Sequence, residues 1–325
     1  MKKICLTLAL TSAFVLSVAR ATTITENFTA DPLQNGWQIF GDTNLFQWDS
    51  TNQNLVVTWD SSRTNSYFCH PLGTTATKSD NFSIAFDVRL DDIGPTSDPE
   101  KPYSFNLSIG LLNFGEATQP YYLRGTGYSS PDLAEFAYFW DSGYGATAWP
   151  VLVDSNSSFN FNGASDYAIF TLTNGDWYHV AMNYTTSNHT LVTTITNLAH
   201  NTGITITAPL DGYFTDLSVD TISISSYNDT DGYGGSIFAH GVVDNLVVTM
   251  IPSPIKHLTG AFSNNIWQVQ FISQTNWTYT LERSVDFGSW SDASTSTVGN
   301  GTNLILQDLN APADKGFYRV RAEQP

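Results

Sequence analysis

Aromatic and polar side chains are concentrated in residues 114–167, and this combination predicts a sugar-binding site. Sugars present apolar C–H faces together with hydroxyl groups, so their binding sites pair exposed aromatic rings with amide and carboxylate side chains. Gly and Pro interrupt the segment, and Asp141 to Trp149 lacks strand alternation, which indicates loop structure. The alternative is that the rings fill a β-sandwich core. The candidate ligand-binding residues are Tyr121, Tyr122, Trp140, Asp141, Tyr144 and Trp149.

The charge balance restricts the kind of ligand. The chain has 30 Asp and Glu against 13 Lys and Arg, of which Lys2, Lys3 and Arg20 lie in the first 21 residues. Without those three residues the net charge is near −20. Such a field repels nucleic acids, anionic membranes and polyuronates. The predicted partner is therefore a neutral polysaccharide or glycan, and not a nucleic acid.

The first 21 residues predict a cleaved secretory signal peptide. Lys2 and Lys3 form a positive start, and the apolar run Ile4 to Val18 is too short to span a bilayer comfortably. Ala19-Arg20-Ala21 places small residues at a cleavage site before Thr22. A transmembrane anchor is the alternative, but no second apolar run of spanning length follows. The predicted location is secreted or cell-surface, in the extracellular space or periplasm.

Cys69 is the one cysteine after residue 21, so no intramolecular disulfide is expected. It stands between Phe68 and His70, and an adjacent histidine in sequence does not place a base beside the thiol. The context favours a buried small apolar residue.

Strand patterns dominate the chain up to residue 250. Asn81 to Leu90 and Ser104 to Leu112 alternate apolar and polar residues with a period of two, which predicts half-buried strands. We find no convincing amphipathic helix after residue 21, and Pro131 to Glu135 is predicted to form a short turn. The pattern predicts an all-β fold of two packed antiparallel sheets, a sandwich or jelly roll. Further predicted strands are Asn54 to Trp59, Tyr167 to Leu172, Tyr178 to Tyr184, Leu191 to Leu198 and Val242 to Met250.

Residues 251–254, Ile-Pro-Ser-Pro, predict a domain boundary, since two prolines cannot continue a central strand and stiffen a linker. The predicted organisation is a signal peptide at 1–21, a jelly roll at 22–250, the proline linker and a small β-sandwich at 255–325.

Three segments of the larger domain resemble the concanavalin A-like lectin/glucanase jelly roll, in particular its laminin-G-like bacterial branch. They are Glu26-Asn27-Phe28, Gly175-Asp176-Trp177-Tyr178-His179-Val180 and the run from Gly241 to Val248. The resemblance implies two curved antiparallel sheets with a concave face that often holds a glycan. Members include lectins, carbohydrate-binding modules, glycoside hydrolases and polysaccharide lyases, so the fold selects no activity.

The resemblance also implies a structural Ca²⁺ that joins the first and last strands. Carried onto this chain, its ligands would be Glu26 and Asp244, with backbone oxygens nearby.

The C-terminal residues resemble a small β module common at the ends of secreted bacterial proteins. The similarity is carried by Tyr279 to Ser284, Trp290, Leu306-Gln307-Asp308, Ala311-Pro312 and Phe317 to Val320. It implies an accessory or surface-retention role and a bacterial source.

The sequence supports an enzyme less well than it supports a sugar-binding protein. Retaining glucanases of the resembled fold carry Glu-x-Asp-x-x-Glu on one strand, which this chain lacks. Asp132 with Glu135 is the nearest acidic group, and its spacing is wrong. We therefore predict no catalytic residues and lean against an enzyme. The leading hypothesis is a secreted, lectin-like protein that binds neutral extracellular glycan. A non-catalytic surface or matrix structural module is the alternative, and a hydrolase or lyase without a recognisable motif comes third.

Overall fold

A computed structural model describes residues 22–94, 106–124, 130–140, 145–156, 167–228, 237–251, 253–275, 277–312 and 315–323. The chain divides into two compact units, Ala21–Pro252 and Ser253–Pro325. Within the described ranges, no helix is both long enough and apolar enough to cross a membrane.

The described residues are almost entirely strands joined by turns. One short α-helix, α1, spans Phe114–Ala117, and two 3-10 turns span Pro32–Gln34 and Thr43–Leu45. The strands of the first unit are β1 Thr22–Glu26, β2 Gln38–Phe40, β3 Phe46–Asp49, β4 Asn54–Asp60, β5 Ser66–Ala76, β6 Asn81–Gly94, β7 Asn106–Leu112, β8 Leu133–Phe139, β9 Thr147–Val153, β10 Ala168–Ile169, β11 Trp177–Thr185, β12 Thr190–Asn197, β13 Thr202–Pro209, β14 Val219–Ser226 and β15 Phe238–Ile251. Those of the second are β16 Ile255–Ser263, β17 Ile266–Ser273, β18 Thr278–Ser284, β19 Ser291–Asp292, β20 Thr297–Val298, β21 Asn303–Asp308 and β22 Phe317–Glu323.

Two antiparallel sheets form the first unit. The eight-stranded sheet has the order β13-β12-β11-β6-β15-β4-β3, with β1 paired to the end of β15. The seven-stranded sheet has the order β10-β9-β8-β7-β14-β5-β2. Strands far apart in sequence are neighbours in both sheets. The predicted all-β, two-sheet antiparallel sandwich is confirmed.

The core lies between these sheets and follows from the period-two pattern. In β6, the residues Phe82, Ile84, Phe86, Val88 and Leu90 are buried, and the alternate residues are half-buried. The ring of Phe86 approaches Phe136 of β8 at a centroid distance of 5.9 Å, so facing strands of the two sheets pack directly. Burying a side chain of this size contributes about 1.5–3 kcal/mol.

Two local predictions from the sequence are wrong. Residues 131–135 do not form only a turn, because β8 begins at Leu133 and carries Glu135 in its middle. The strand predicted from Tyr167 to Leu172 is reduced to Ala168–Ile169. In both places neighbouring strands decide the structure: β8 is paired on both sides, whereas β10 pairs with β9 alone.

The second unit also contains two antiparallel sheets. β16, β17 and β21 form one, and β18 pairs with β19, β20 and β22 in the other. Phe271, Trp277, Tyr279 and Leu281 are buried in its core, and the Trp267 and Tyr318 rings stack at 4.9 Å. The Tyr279 hydroxyl donates to the carbonyl of Pro254 at 2.6 Å, which ties the first residues of the unit to its core.

Candidate functional site

The outer face of the seven-stranded sheet points away from the other sheet, and other parts of the chain cover it. Register places Ser108 of β7, Glu135 of β8 and Ser225 of β14 on this face, opposite in direction to Phe136. All three are buried, although an outer sheet face is ordinarily exposed to water on one side. Segment 113–124 and Tyr227 supply side chains that contact this face, since Arg124 and Tyr227 both bond Glu135.

A buried ion pair lies at the centre of the face. The Arg124 Nε donates to Glu135 Oε1 at 2.5 Å, and each side chain is less than 5% exposed. Ser108 donates to the same oxygen at 3.2 Å, and the Tyr227 hydroxyl donates to Glu135 Oε2 at 2.9 Å. Burial is the largest single influence on Arg124 and opposes its charge, but Glu135 together with the neighbouring Tyr227 and Tyr122 raises the pKa of the guanidinium. We call these four residues the Glu135 network.

Two further buried tyrosines, Tyr67 and Tyr122, lie beside Tyr227 of the Glu135 network. The ring of Tyr227 lies 5.9 Å from Tyr67 and 6.4 Å from Tyr122. Burial, followed by the charge of Glu135, raises the pKa of Tyr227 and Tyr122 well above the ordinary value. The Tyr67 hydroxyl donates to the carbonyl of Ala117 at 2.9 Å, which fixes α1 over the sheet. The hydroxyls of Tyr67 and Tyr227 both act as hydrogen-bond donors.

Partly exposed aromatic rings continue the same face toward its β9–β10 edge. Trp149 lies opposite Ala137 in the register, so its side chain points outward like that of Glu135. Its ring centroid lies 5.8 Å from Phe139 and 6.3 Å from Tyr167. All three residues are half-buried, and Phe139 and Trp149 also pack against the core cluster. We call Phe139, Trp149 and Tyr167 the aromatic patch.

The six predicted ligand-binding residues occupy different environments. Tyr121 is 54% exposed, and its hydroxyl donates to Glu116 Oε2 at 2.5 Å. Tyr122 is buried beside the Glu135 network, and Trp149 belongs to the aromatic patch. Trp140 is half-buried and packs against the core. Asp141 and Tyr144 lie outside the described residues.

Asp132 and Glu135, considered together in the sequence, serve separate purposes. Asp132 lies just before β8 in a left-handed conformation, with φ of +60°. Its Oδ1 accepts hydrogen bonds from the Ser155 hydroxyl at 2.6 Å and the Ser218 amide at 2.8 Å. Burial raises the pKa of Asp132. It connects three segments at the strand end, while Glu135 faces the covered surface.

The two calcium ligands implied by the family resemblance are not brought together. Glu26 lies opposite Leu246, which is in the core, and accepts a hydrogen bond from the Phe28 amide at 2.7 Å. Asp244 lies opposite Asp87, whose side chain points away from the core. A bulge between Asp244 and Val247 reverses the alternation, so the two carboxylates lie on opposite faces.

Asp244 instead belongs to a polar group on the outer face of the eight-stranded sheet. Asp87 contacts His179 Nδ1 at 2.6 Å and accepts from Asn245 Nδ2 at 2.8 Å. Burial, and then the charge of Asp87, raises the pKa of Asp244. Among the described residues, no group of three or more His, Cys, Asp or Glu side chains is arranged to hold a metal. The donors present therefore do not fit the predicted calcium site.

Sequence reasoning missed Arg124 and Tyr227. Their contacts with Glu135 span 11 and 92 residues, and neither lies in a recognisable motif. The available signal was the single carboxylate in an otherwise apolar strand, Leu-Ala-Glu-Phe-Ala-Tyr-Phe. A buried charge needs a buried partner.

Several lectins are among the solved structures similar to this chain. Lectin II from Ulex europaeus matches with a TM-score of 0.46 and 16% identity, over 70% of this chain and 97% of its own. The Lotus tetragonolobus seed lectin matches with a TM-score of 0.46 and 11% identity, over 71% and 100%. Peanut lectin gives 0.45 and 13%, over 72% and 100%. No family model matches the chain, and no curated protein matches its sequence.

Close packing against β8 makes Gly110 a sensitive position on the outer face. A Cβ at residue 110 would lie 2.3 Å from the Ala134 carbonyl oxygen and 2.4 Å from the Glu135 Cα. We expect Gly110→Ala to lower the free energy of unfolding by about 1–3 kcal/mol, since neighbouring backbone must move. Urea denaturation measures this. Gly94→Ala is the matched control, because nothing lies within 4 Å of its added Cβ. Equal stability of the two variants would contradict this account of the face.

Proposed function

We propose that this protein binds neutral glycan on the outer face of its seven-stranded sheet, with the aromatic patch as the contact surface. The observation that carries the proposal is half-buried Trp149, whose side chain is directed outward by the register and whose ring contacts Phe139 and Tyr167. Aromatic rings of this kind stack against the C–H faces of sugars. The buried polar groups of the adjacent Glu135 network hold the underlying strands in place.

Electrostatics supports a neutral ligand. The unit Ala21–Pro252 contains 24 Asp and Glu but five Lys and Arg. Arg124 is already paired with Glu135, and Arg89 contacts Asp91 at 2.7 Å. Uronates and sulfated sugars would be repelled by this field and would find little cationic side chain to bind.

The burial and hydrogen bonding of Glu135 support sugar binding rather than sugar hydrolysis. Both of its oxygens accept hydrogen bonds, and the residue is 2% exposed. A general acid or nucleophile must reach the glycosidic bond, and this carboxylate is covered and fully engaged. A second candidate, a structural surface module, is favoured by the same covered centre of the face.

The proposed place of action is outside the cell, and it rests on the signal-like first 21 residues. N-terminal sequencing of exported protein tests this directly. A first residue of Thr22 supports export with cleavage. A retained Lys2-Lys3 start in the secreted form would contradict it.

A glycan array with the purified protein tests the binding proposal, followed by titration of the best ligand. We expect Trp149→Ala to weaken affinity at least about tenfold, or 1.4 kcal/mol, because the stacking surface is lost. Trp177→Ala is the matched control. It is a half-buried tryptophan on the other sheet, beneath the Arg89 guanidinium at 5.2 Å. Equal affinity of both variants would move the site elsewhere, and a blank array would favour the structural module.

A further inference from the structure

The second unit differs from the first in its charge and in its surface. Ser253–Pro325 contains six Asp and Glu and five Lys and Arg, so it is nearly neutral, whereas the first unit is strongly acidic. Eight of the sixteen large apolar side chains that are exposed among the described residues belong to this smaller unit. Where such side chains cluster beside polar groups, they indicate a binding surface.

Three aromatic rings form a row beside strand β22, on the side away from the core. The strand alternates, so Phe317 and Arg319 point away from the core that contains Val320. The ring centroids of Phe317 and Phe287 are 3.7 Å apart, and those of Phe287 and Trp290 are 6.1 Å apart. Phe287 is 44% exposed, and the other two residues are half-buried. We call Phe287, Trp290 and Phe317 the ring row.

Phe287 is held in an unfavourable backbone conformation. Its φ of +65° lies in the left-handed region, which a bulky residue rarely adopts. The Ser284 hydroxyl oxygen accepts from the Phe287 amide at 2.9 Å. Asp286 Oδ1 accepts from the amides of Gly288 and Ser289 at 2.9 and 3.3 Å. These bonds keep an exposed phenyl ring in place despite the strain, and backbone strain of this kind concentrates at ligand-binding sites.

Polar groups without a partner flank the ring row. Arg319 lies over the Trp290 ring, with its Cζ 4.3 Å from the ring centroid, and its Nε donates to Glu282 Oε2. Within the described ranges, the two terminal nitrogens of Arg319 have no hydrogen-bond partner and remain available as donors. Asp286 Oδ1 takes the bonds of the turn, and its Oδ2 accepts from no other described residue. The rings are therefore bordered by both free donors and a free acceptor.

We infer that the ring row is a second binding site for neutral sugar. Sugars combine apolar C–H faces with hydroxyl groups, which suit aromatic rings bordered by donors and acceptors. Arg319, and Lys315 at 5.2 Å from the Phe317 ring, are balanced by Asp286 and Glu282, so the local charge favours a neutral ligand. The rings stack on the sugar, while the Arg319 guanidinium and the Asp286 carboxylate bind its hydroxyl groups.

This second site does not depend on the aromatic patch, because its residues belong to the other compact unit. Two sugar sites on one chain can bind a long polysaccharide at two points, and the second binding event is then intramolecular. Linkage of this kind raises the avidity for a polymer above the affinity of either site alone.

Affinity electrophoresis in native gels tests the second site on the purified protein. The gels contain increasing amounts of a soluble β-glucan, xylan, mannan or galactan, and a pectate gel provides the anionic comparison. In the Trp149→Ala background, which removes the contact proposed for the first unit, a neutral polysaccharide should still retard the protein. Adding Phe287→Gly should raise the dissociation constant for that polysaccharide at least about tenfold. Glycine adopts the left-handed conformation without strain, so this variant should fold, and its melting temperature checks that.

Phe262→Ala is the matched control. Phe262 is 51% exposed on β16, in the same unit but in the other sheet, and its removal should leave the retardation unchanged. If no neutral gel retards the Trp149→Ala protein, or if Phe287→Gly and Phe262→Ala behave alike, the second site is overturned. Equal retardation by pectate would overturn the neutral ligand. A wild-type protein retarded no more than Trp149→Ala, with retardation lost in Phe287→Gly, would support the second site and contradict the first.

Discussion

Replacing Arg124 by Met should lower the free energy of unfolding by about 3–5 kcal/mol, since it leaves the Glu135 carboxylate buried without its ionic partner. The pair lies under the covering tyrosines, so water cannot replace the lost contact. Ser108 and Tyr227 would still donate to Glu135, but neither carries a compensating charge. Urea denaturation followed by tryptophan fluorescence measures the loss.

The double variant Arg124→Met/Glu135→Leu is the informative control. Removing both charges should restore most of the stability lost in the single variant, because an apolar pair needs no ionic partner. Tyr227 would lose an acceptor, so a residual cost of about 1–3 kcal/mol is expected. If Arg124→Met costs under about 1 kcal/mol, the pair is solvated and the face is more open than described.

The Cys69 thiol should be almost inert toward a thiol-specific disulfide reagent in the folded protein. Burial raises its pKa from 9.0 to about 11, against a smaller opposing hydrogen bond from Gln38. That shift alone lowers the thiolate fraction at pH 8 about a hundredfold, and burial denies access as well. Kinetics with and without denaturant measure this, with Thr25→Cys on exposed β1 as the reactive control. Rapid reaction of native Cys69 would contradict its placement on β5.

The count of thiols in denaturant has a second use. Cys5 lies in the predicted signal peptide, so a chain that has lost its first 21 residues presents one thiol and an intact chain presents two. Protein recovered from the exported fraction should therefore titrate as one thiol. A titre of two in that fraction would refute cleavage at residue 21.

The sequence predicted the elements whose side chains alternate cleanly. Asn81 to Leu90 falls within β6, and Leu191 to Leu198 and Val242 to Met250 closely match β12 and β15. Each has one face in the core, and that physical condition is what the period of two records. The order of the strands in the sheets could not be predicted from the sequence. β15 pairs with β6 and β4, which lie more than 100 residues before it in the chain.

The candidate site was less predictable for a related reason. Tyr121 and Tyr122 are adjacent in sequence, yet one is exposed and the other is buried beside Tyr227. Composition placed both in one candidate segment but could not separate them. The calcium prediction assumed that the first and last strands present carboxylates on one face, and the bulge after Asp244 overturns that assumption. A one-residue irregularity reverses the direction of a side chain, and no pattern in the sequence marks it.

The position of β15 has a consequence for how the sandwich is made. This strand is synthesised last of the fifteen in its unit, yet it pairs with β6, β4 and β1 in the middle of the sheet. Until residue 251 has emerged, β4 and β6 have no neighbour between them, and the nascent chain cannot complete its core. Contacts of such long sequence separation make folding slow, and the delay keeps the chain extended. The larger unit can therefore complete its eight-stranded sheet only when residue 251 is available, whichever strands have formed before it.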